Sequence, residues 1–269
     1  MSDTPHLLTE DSGAILIVTL NRPEKLNALS AELMALYDQA LNRFRDTPQF
    51  KVMLIRATGR YFCAGADMHS GGTAGEQRPN ASAIRERHRR GLNGMHRIYD
   101  EMEAIEKPIV VAHHAACVGG GLELSLSCDF RLASKSASYS FPEGKFGVLP
   151  ASNGVSRLTR IVGTHWARYV VMANLPVPAD RALIMGLVHD VFPDDTFQDE
   201  VLRFCRHLSE QHGEQMAAAK LAIEMAHDVG LAQARNVERL ANCALMLNPD
   251  YLATVDRYVK SIGRTGKEK

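Results

Sequence analysis

Apolar and β-branched residues run together through residues 14–20 (Ala-Ile-Leu-Ile-Val-Thr-Leu), bounded by Gly13 and by Asn21-Arg22-Pro23. That pattern predicts a strand. Next, Leu33, Leu36, Tyr37, Ala40, Leu41 and Phe44 recur at the spacing of one helix face. Ser30 offers the helix a cap and Thr47-Pro48 ends it. Residues 52–57 (Val-Met-Leu-Ile-Arg-Ala) predict a second, buried strand. Residues 70–82 are rich in Gly and Ser and read as a loop, followed by a helix over about 83–106. An apolar β-like run, Ile109-Val-Val-Ala112, precedes three glycines, Gly119, Gly120 and Gly121, which break the strand. From Leu122 the residues Leu122, Leu124, Leu126 and Cys128, with Ser125 and Ser127 between, predict a short helix. Residues 129–133 and 137–141 read as short strands, the second closed by Pro142-Glu143-Gly144. Helices are predicted over 166–173 and 178–185, and from Asp194 almost to the end. The last of these cover 216–225, 231–247 and 250–262, before a frayed tail at 263–269. The alternation over 7–190 is ββα, so one α/β core should be followed by helices without a clear linker.

Composition narrows the class. The chain has 269 residues, 45% hydrophobic and 23% charged, as in a globular enzyme of one or two domains. Its formal net charge is zero, which argues against a general nucleic-acid or membrane-surface role. Arg85, Arg87, His88, Arg89 and Arg90 form a local basic run, read as a solvated helix face. Five cysteines lack any Cys-x-x-Cys pair and point to free thiols in a reducing compartment. The start, Met-Ser-Asp-Thr-Pro-His, does not read as a signal peptide, and no apolar run reaches the roughly 18 residues of a spanning helix. A cytoplasmic location is expected. Eleven histidines invite a metal reading, yet His113-His114 should face opposite ways in a strand and no His-x-x-x-His set accompanies them. No metal site is expected.

The candidate chemistry lies in the stretch from Cys117 to Asp129. A strand, a glycine turn and a helix present unpaired N–H groups at the positive end of the helix dipole, where negative charge is favoured. Glu123 falls on the first turn. A carboxylate beside an anion-stabilising N–H suits acid/base chemistry at a carbon next to a carbonyl. The glycine run alone fits a tight turn packing a helix on a sheet equally well. In residues 59–68 the Tyr61-Phe62 pair anchors a loop in which Ala64, Gly65 and Ala66 let a ligand approach the backbone, and a packed turn is again the plain alternative. Glu143 sits where a strand runs into a loop.

Taken together these segments resemble the enoyl-CoA hydratase/isomerase, or crotonase, family. The pieces come in the family's order: residues 20–29 (Leu-Asn-Arg-Pro-Glu-Lys-Leu-Asn-Ala-Leu), 62–67 (Phe-Cys-Ala-Gly-Ala-Asp), 119–124 (Gly-Gly-Gly-Leu-Glu-Leu), 141–143 (Phe-Pro-Glu) and 157–163 (Arg-Leu-Thr-Arg-Ile-Val-Gly). The resemblance covers about 7–262 and implies an α/β spiral of ββα turns with a C-terminal helical region. It implies a core over 1–195, a trimerisation region over 196–269, and a homotrimer or dimer of trimers. The implied substrate is an acyl-CoA thioester, with coenzyme A arriving as part of it and no metal or redox cofactor. By position, the N–H groups of Ala66 and Gly120 form the oxyanion hole, and Glu123 and Glu143 hold the water added across a 2-enoyl-CoA. Isomerisation between Δ3 and Δ2 positions, or C–C hydrolysis of a cyclic acyl-CoA, is the enzymatic alternative. An RNA-binding protein on the same fold is the alternative from another class. Substrate or CoA contacts are expected from Lys25, Ala64, Asp67, Met68, His69, Gly119, Ser152 and Tyr258.

Three departures stand out. Residues 151–154 read Ala-Ser-Asn-Gly where the family often has Gly-Ala-Gly-Gly. Residue 69 is His where relatives often place Lys, and residues 257–262 differ from the usual tail. Ser152 and Asn153 near the acyl pocket lead to the expectation of a functionalised or cyclic acyl group over a plain short chain.

Overall fold

The computed structural model describes residues 4–67 and 80–262, without the side chains of 87, 88 and 91–93. The expected loop at 70–82 therefore lies almost wholly outside the described residues, with Met68, His69 and the tail from 263.

Strand β1 (Leu7–Ser12) and strand β2 (Ile15–Leu20) form an antiparallel hairpin in register from Leu7 with Leu20 to Ser12 with Ile15. Gly13 turns between them at φ +61°, in the left-handed region that suits glycine. Strand β1 was not foreseen, because only Leu7 is buried along its length and such a one-sided edge strand leaves little apolar signal. All six residues of β2 are buried, which accounts for its unbroken apolar pattern. Helix α1 (Ala31–Asp46) carries the chain across to strand β3 (Val52–Ala57), parallel to β2. The Ser30 hydroxyl accepts from the Leu33 N–H at 3.2 Å, capping α1. The face α1 buries is Leu33, Met34, Tyr37, Ala40, Leu41 and Phe44, with Leu36 half-buried.

The expected alternation then appears as a spiral. Strand β4 (Tyr61–Cys63) and helix α2 (Ala81–Ala104) follow β3. Strands β5 (Ile109–His113) and β6 (Ala116–Val118) lead into helix α3 (Gly120–Leu126). Strands β7 (Phe130–Ser134) and β8 (Ser138–Ser140) lead through a 3-10 turn, Pro142–Phe146, into helix α4 (Gly154–Ala173). The first strand of each turn joins one sheet and the second joins another. Strand β9 (Val177–Pro178), helix α5 (Ala179–Ile184), strand β10 (Asp190–Phe192) and helix α6 (Phe197–Ser209) complete this part. The large sheet has the order β1-β2-β3-β5-β7-β10, and the small one β4-β6-β8-β9. All pairings are parallel except β1 with β2 and β8 with β9. This is the expected α/β architecture. Helix α4 begins twelve residues before the predicted 166 and bends at Gly163, whose φ is +72°.

The chain divides into two compact units, the first ending at Gln211. That division follows α6 rather than preceding it at 195. Helix α6 buries Phe197, Val201, Cys205 and Leu208 and packs on β2, β3 and β7. The second unit holds helices α7 (Gly213–Asp228), α8 (Leu231–Met246) and α9 (Tyr251–Ile262), with α7 packed on α8. Among the described residues no helix is long and apolar enough to cross a membrane.

His113 in β5 is fully buried between the rings of Phe62 and Tyr139, and its Nδ1 lies 3.1 Å from the Tyr139 hydroxyl. Burial, with Arg131 and His114 nearby, pushes its pKa down to about 3. The unfolded chain takes up that proton near 6.5 while the folded chain refuses it. Folding stability should therefore fall as pH drops below 6.5, at up to about 1.4 kcal/mol per pH unit for this group. His113→Phe should be less stable at pH 7, since the Tyr139 hydroxyl loses a partner. Its urea midpoint should change less between pH 6.5 and 5 than the parent's. Equal slopes for the two proteins would show that His113 is protonated in the fold.

Candidate active site

The site forms where the loop after β4 meets the turn that opens α3. Gly65 has φ +95°, and a Cβ there would lie 3.0 Å from the Val118 carbonyl oxygen and 3.2 Å from the Gly120 nitrogen. A Cβ on Gly120 would in turn lie 3.4 Å from the Ala66 nitrogen. The two backbones thus touch with only glycine between them. Gly119, at φ +53°, precedes the helix and donates its N–H to the Ser140 carbonyl at 3.0 Å. The Tyr99 hydroxyl donates to the Gly120 carbonyl at 3.3 Å. None of the bonds that fix the two turns uses the Ala66 or Gly120 N–H. Gly120 is the first residue of α3, where an N–H has no partner within the helix. The structure brings these two expected donors together.

The 64–67 loop is held by the segment before α1. Leu29 donates to the Gly65 carbonyl at 2.8 Å and accepts from the Asp67 N–H at 3.2 Å, while Ala64 donates to the Leu26 carbonyl at 3.0 Å. Leu26 and Asn27 both adopt φ 54°. The buried Asn27 side chain donates to the Thr58 and Tyr61 carbonyls at 2.7 and 2.9 Å. Asp67 forms a 2.6 Å ion pair with Arg22, which also donates to the Ala28 carbonyl at 3.2 Å. Asp67 thus secures the loop beneath Ala66.

Glu123 is 5% exposed. Its Oε1 accepts from the Ser152 N–H at 2.7 Å, and the Gly154 N–H and the Ser152 hydroxyl also bind the carboxylate. Burial raises its pKa, and these hydrogen bonds and the charge of Arg157 oppose the rise. A Cβ on Gly154 would stand 2.8 Å from Oε1, so glycine there makes the seat for the carboxylate. Glu143 sits in the 3-10 turn after β8, and its Oε1 would be 2.8 Å from a Cβ on Gly119. Its Oε2 is buried and has no hydrogen-bond partner among the described residues. Burial, its own N–H working against it, and the Glu123 charge leave its pKa raised to about 6. The two carboxyl groups thus flank the N–H turn in different states. One accepts hydrogen bonds that oppose the rise in its pKa, and the other has an Oε2 without a partner among the described residues and a pKa raised to about 6.

The remaining expected contacts are scattered. Lys25 ends the exposed 3-10 turn Pro23–Lys25. Ser152 is buried against Glu123. Asn153 is exposed with φ 64° and ψ 16°, and its carbonyl starts α4 by accepting from Arg157. Tyr258 is exposed in the second unit. Met68 and His69 lie outside the described residues. Among those residues no three His, Cys, Asp or Glu side chains gather as metal ligands. The pattern reading gave no role to Gly154, Leu29 or Arg157. Their signals were present only as single residues in the matched segments, and their partners are distant in sequence.

Comparison with known proteins bears on the family and the fold. Residues 10–259 match the family model described as enoyl-CoA hydratase/isomerase. The chain is 31% identical over 268 residues to enoyl-CoA isomerase/hydratase fer4 of Mycosarcoma maydis, covering 93% of each. It is 30% identical to the 2,3-dehydroadipyl-CoA hydratase of Escherichia coli, covering 86% of this chain and 88% of that one. The fold is similar to the crystal structure of an enoyl-CoA hydratase from Bacillus anthracis, with TM-score 0.86, 24% identity, and 95% and 96% of the two chains covered.

Because the Glu123 charge raises Glu143, Glu123→Gln should lower the Glu143 pKa from about 6. A carboxyl carbon-13 NMR titration of the two proteins reads this directly. An unchanged or higher value would mean that the two carboxylates do not share one site.

Proposed function

The chain belongs to the enoyl-CoA hydratase/isomerase family, and from that premise we propose that it hydrates a 2-enoyl-CoA thioester. The observation that carries this reading is the pair of carboxyl groups, unlike in environment, beside the Ala66 and Gly120 N–H groups, which no bond fixing the turns uses among the described residues. The thioester oxygen accepts from Ala66 and Gly120. As water adds to Cβ, charge moves onto that oxygen, where fixed dipoles stabilise it without reorganising. Glu123, whose partners favour the anion, takes the proton from water. Glu143, with its raised pKa, gives a proton to Cα. The product gains one hydrogen and one hydroxyl, and the two carboxyl groups re-equilibrate their protons through solvent.

Relatives named as isomerase/hydratase and as hydratase stand at about the same identity. The choice of hydration therefore rests on the second carboxylate. A double-bond shift moves one proton out and back, which one glutamate can do, whereas adding water calls on a base and an acid together. For contacts outside the core of the site, we assign Lys25, Ala64, Asp67, Met68, His69, Gly119, Ser152 and Tyr258 to the surroundings of the thioester and coenzyme A. We further propose a homotrimer or dimer of trimers. In its support, Leu231, Leu240, Leu247 and Leu252 are each at least 68% exposed, an apolar surface that assembly would cover. Sedimentation equilibrium should give a mass three or six times that of the chain, and a monomer at micromolar concentration would refute the assembly.

Incubation with a panel of enoyl-CoA esters, with products identified by mass, should show the gain of one water. Glu123→Gln and Glu143→Gln should each lower kcat by roughly 10²–10⁴-fold, with KM nearly unchanged. A variant of either residue that hydrates the preferred ester at the parental rate would sink the two-carboxylate mechanism. A double-bond shift without mass gain, surviving in Glu123→Gln, would favour the isomerase reading.

A further inference from the structure

One face of α2 reaches across to the segment that seats Glu123. His96, Asp100 and Glu103 follow one another at i, i+4 and i+7, which places them on one helix face. His96 Nε2 is 2.9 Å from the Ala151 carbonyl oxygen. Asp100 accepts from Arg157 Nη2 at 2.6 Å. Glu103 accepts from Arg157 Nε at 2.6 Å and from Nη2 at 2.8 Å. Arg157 lies on the first turn of α4 with its side chain 8% exposed. Its remaining terminal nitrogen, Nη1, donates to the Ser152 carbonyl at 3.4 Å. Ser152 is the residue whose N–H holds Glu123. A chain of contacts therefore runs from α2 through Arg157 and the Ser152 peptide to the carboxylate.

We propose that Arg157 is the positioning residue for Glu123: clamped by Asp100 and Glu103, it fixes the Ser152–Gly154 seat and sets a positive charge near the Glu123 carboxylate. The planar fork of arginine suits this place. It meets two carboxylates and a carbonyl at once, which an ammonium group on a flexible stem cannot do with the same geometry. The near neighbours of Glu123 contribute in known senses. The Ser152 and Gly154 N–H groups, the Ser152 hydroxyl and Arg157 favour the anion, and burial opposes it. Glu143 lies close enough for the Glu123 charge to raise it. Asp100 and Glu103 screen the arginine from behind. The two sides of the clamp thus push Glu123 in opposite directions. Losing the cation should make Glu123 harder to ionise, and losing a carboxylate behind the cation should make it easier.

This proposal rests on the reading of Glu123 as the base, and the test separates the two. Carboxyl carbon-13 titration of glutamate-labelled protein, with Glu123→Gln identifying the signal, gives the Glu123 pKa without any substrate. Arg157→Met should raise that pKa by about one unit, Arg157→Lys should return it most of the way, and Glu103→Gln should lower it. These sizes are those of a single charge a short distance off. On whichever enoyl-CoA ester the parent hydrates, Arg157→Met should lower kcat about 10–100-fold with KM within about threefold. The acid limb of kcat/KM should move up with the Glu123 pKa. Arg157→Lys should recover the limb and only part of kcat, because it restores charge and not the fork. Circular dichroism and thermal midpoints accompany each variant. If Arg157→Met does not fold, Glu103→Gln, whose side chain is one-third exposed, still tests the opposite shift. A folded Arg157→Met with an unmoved Glu123 pKa overturns the clamp, and so does a Glu103→Gln shift in the same direction as that of Arg157→Met. Full turnover by Glu123→Gln overturns the assignment of the base instead, and leaves the titration result standing on its own.

Discussion

Two backbone segments, 64–67 and 118–121, are packed so closely that a Cβ at Gly65 would lie 3.0 Å from the Val118 carbonyl oxygen, and the rest of the site is arranged around that contact. Close approach sets the Ala66 and Gly120 nitrogens near one another, and among the described residues no bond that fixes the turns uses either N–H. Leaving such donors unsatisfied is costly in a packed interior, so the fold must hold them there by other bonds. It does so with the Arg22–Asp67 pair, the fully buried Asn27 side chain and the Leu29 bridge on one side. On the other side are the Gly119–Ser140 bond and the Tyr99 hydroxyl. Leu26 at φ 54° is an uncommon conformation for a side chain of that size. Its carbonyl receives the Ala64 N–H, so the strain sits in the bonds that aim the Ala66 donor.

The second constraint is the placement of two carboxyl groups in a space that disfavours charge. Burial pushes the pKa of both upward. The sequence around 150–157 sets them apart. A glycine at 154 removes the one side chain that would collide with Glu123, and the backbone of 152–154 presents donors to it. Glu143 receives no such support at Oε2. Differences of this kind, and not the identity of the residues, separate an acid from a base on the same scaffold.

Much of this could be read from the chain because local pattern and function coincide there. The strand β2, the α1 face and the ββα rhythm are periodic, and the segments 62–67, 119–124 and 141–143 carry the site in contiguous pieces. The stretch before α3 was legible only in part. The apolar run from Ile109 hides two strands, β5 and β6, that belong to different sheets, and periodicity does not register a change of sheet. The hairpin strand β1 was missed because five of its six residues are exposed. Helix α4 starts earlier than the pattern predicts because its first turn holds Gly154, Ser156 and Arg157 with one apolar residue, and its start is set by the positive-φ Asn153 before it and by the Arg157 ion pairs. Those pairs join residues 54 and 57 positions apart, a distance at which no local pattern survives.

The departure at 151–154 has a structural use as well as a bearing on substrate. Two polar residues in place of glycine and alanine suggested a polar acyl group, since buried polar atoms without partners cost about 1–3 kcal/mol each. The structure gives each of them another reason. Asn153 is exposed and left-handed, the conformation that glycine adopts most freely and asparagine tolerates best among side chains. It therefore does the backbone work of the glycine it replaces. Ser152 turns its N–H and hydroxyl to Glu123. Its polarity is satisfied inside the protein before any ligand arrives. A substrate oxygen would have to compete with the carboxylate for those donors, and success would weaken the hold on the base. A plain acyl chain makes no such demand. The polarity of this segment therefore has a use inside the protein, through the surroundings of Glu123, before any substrate is considered.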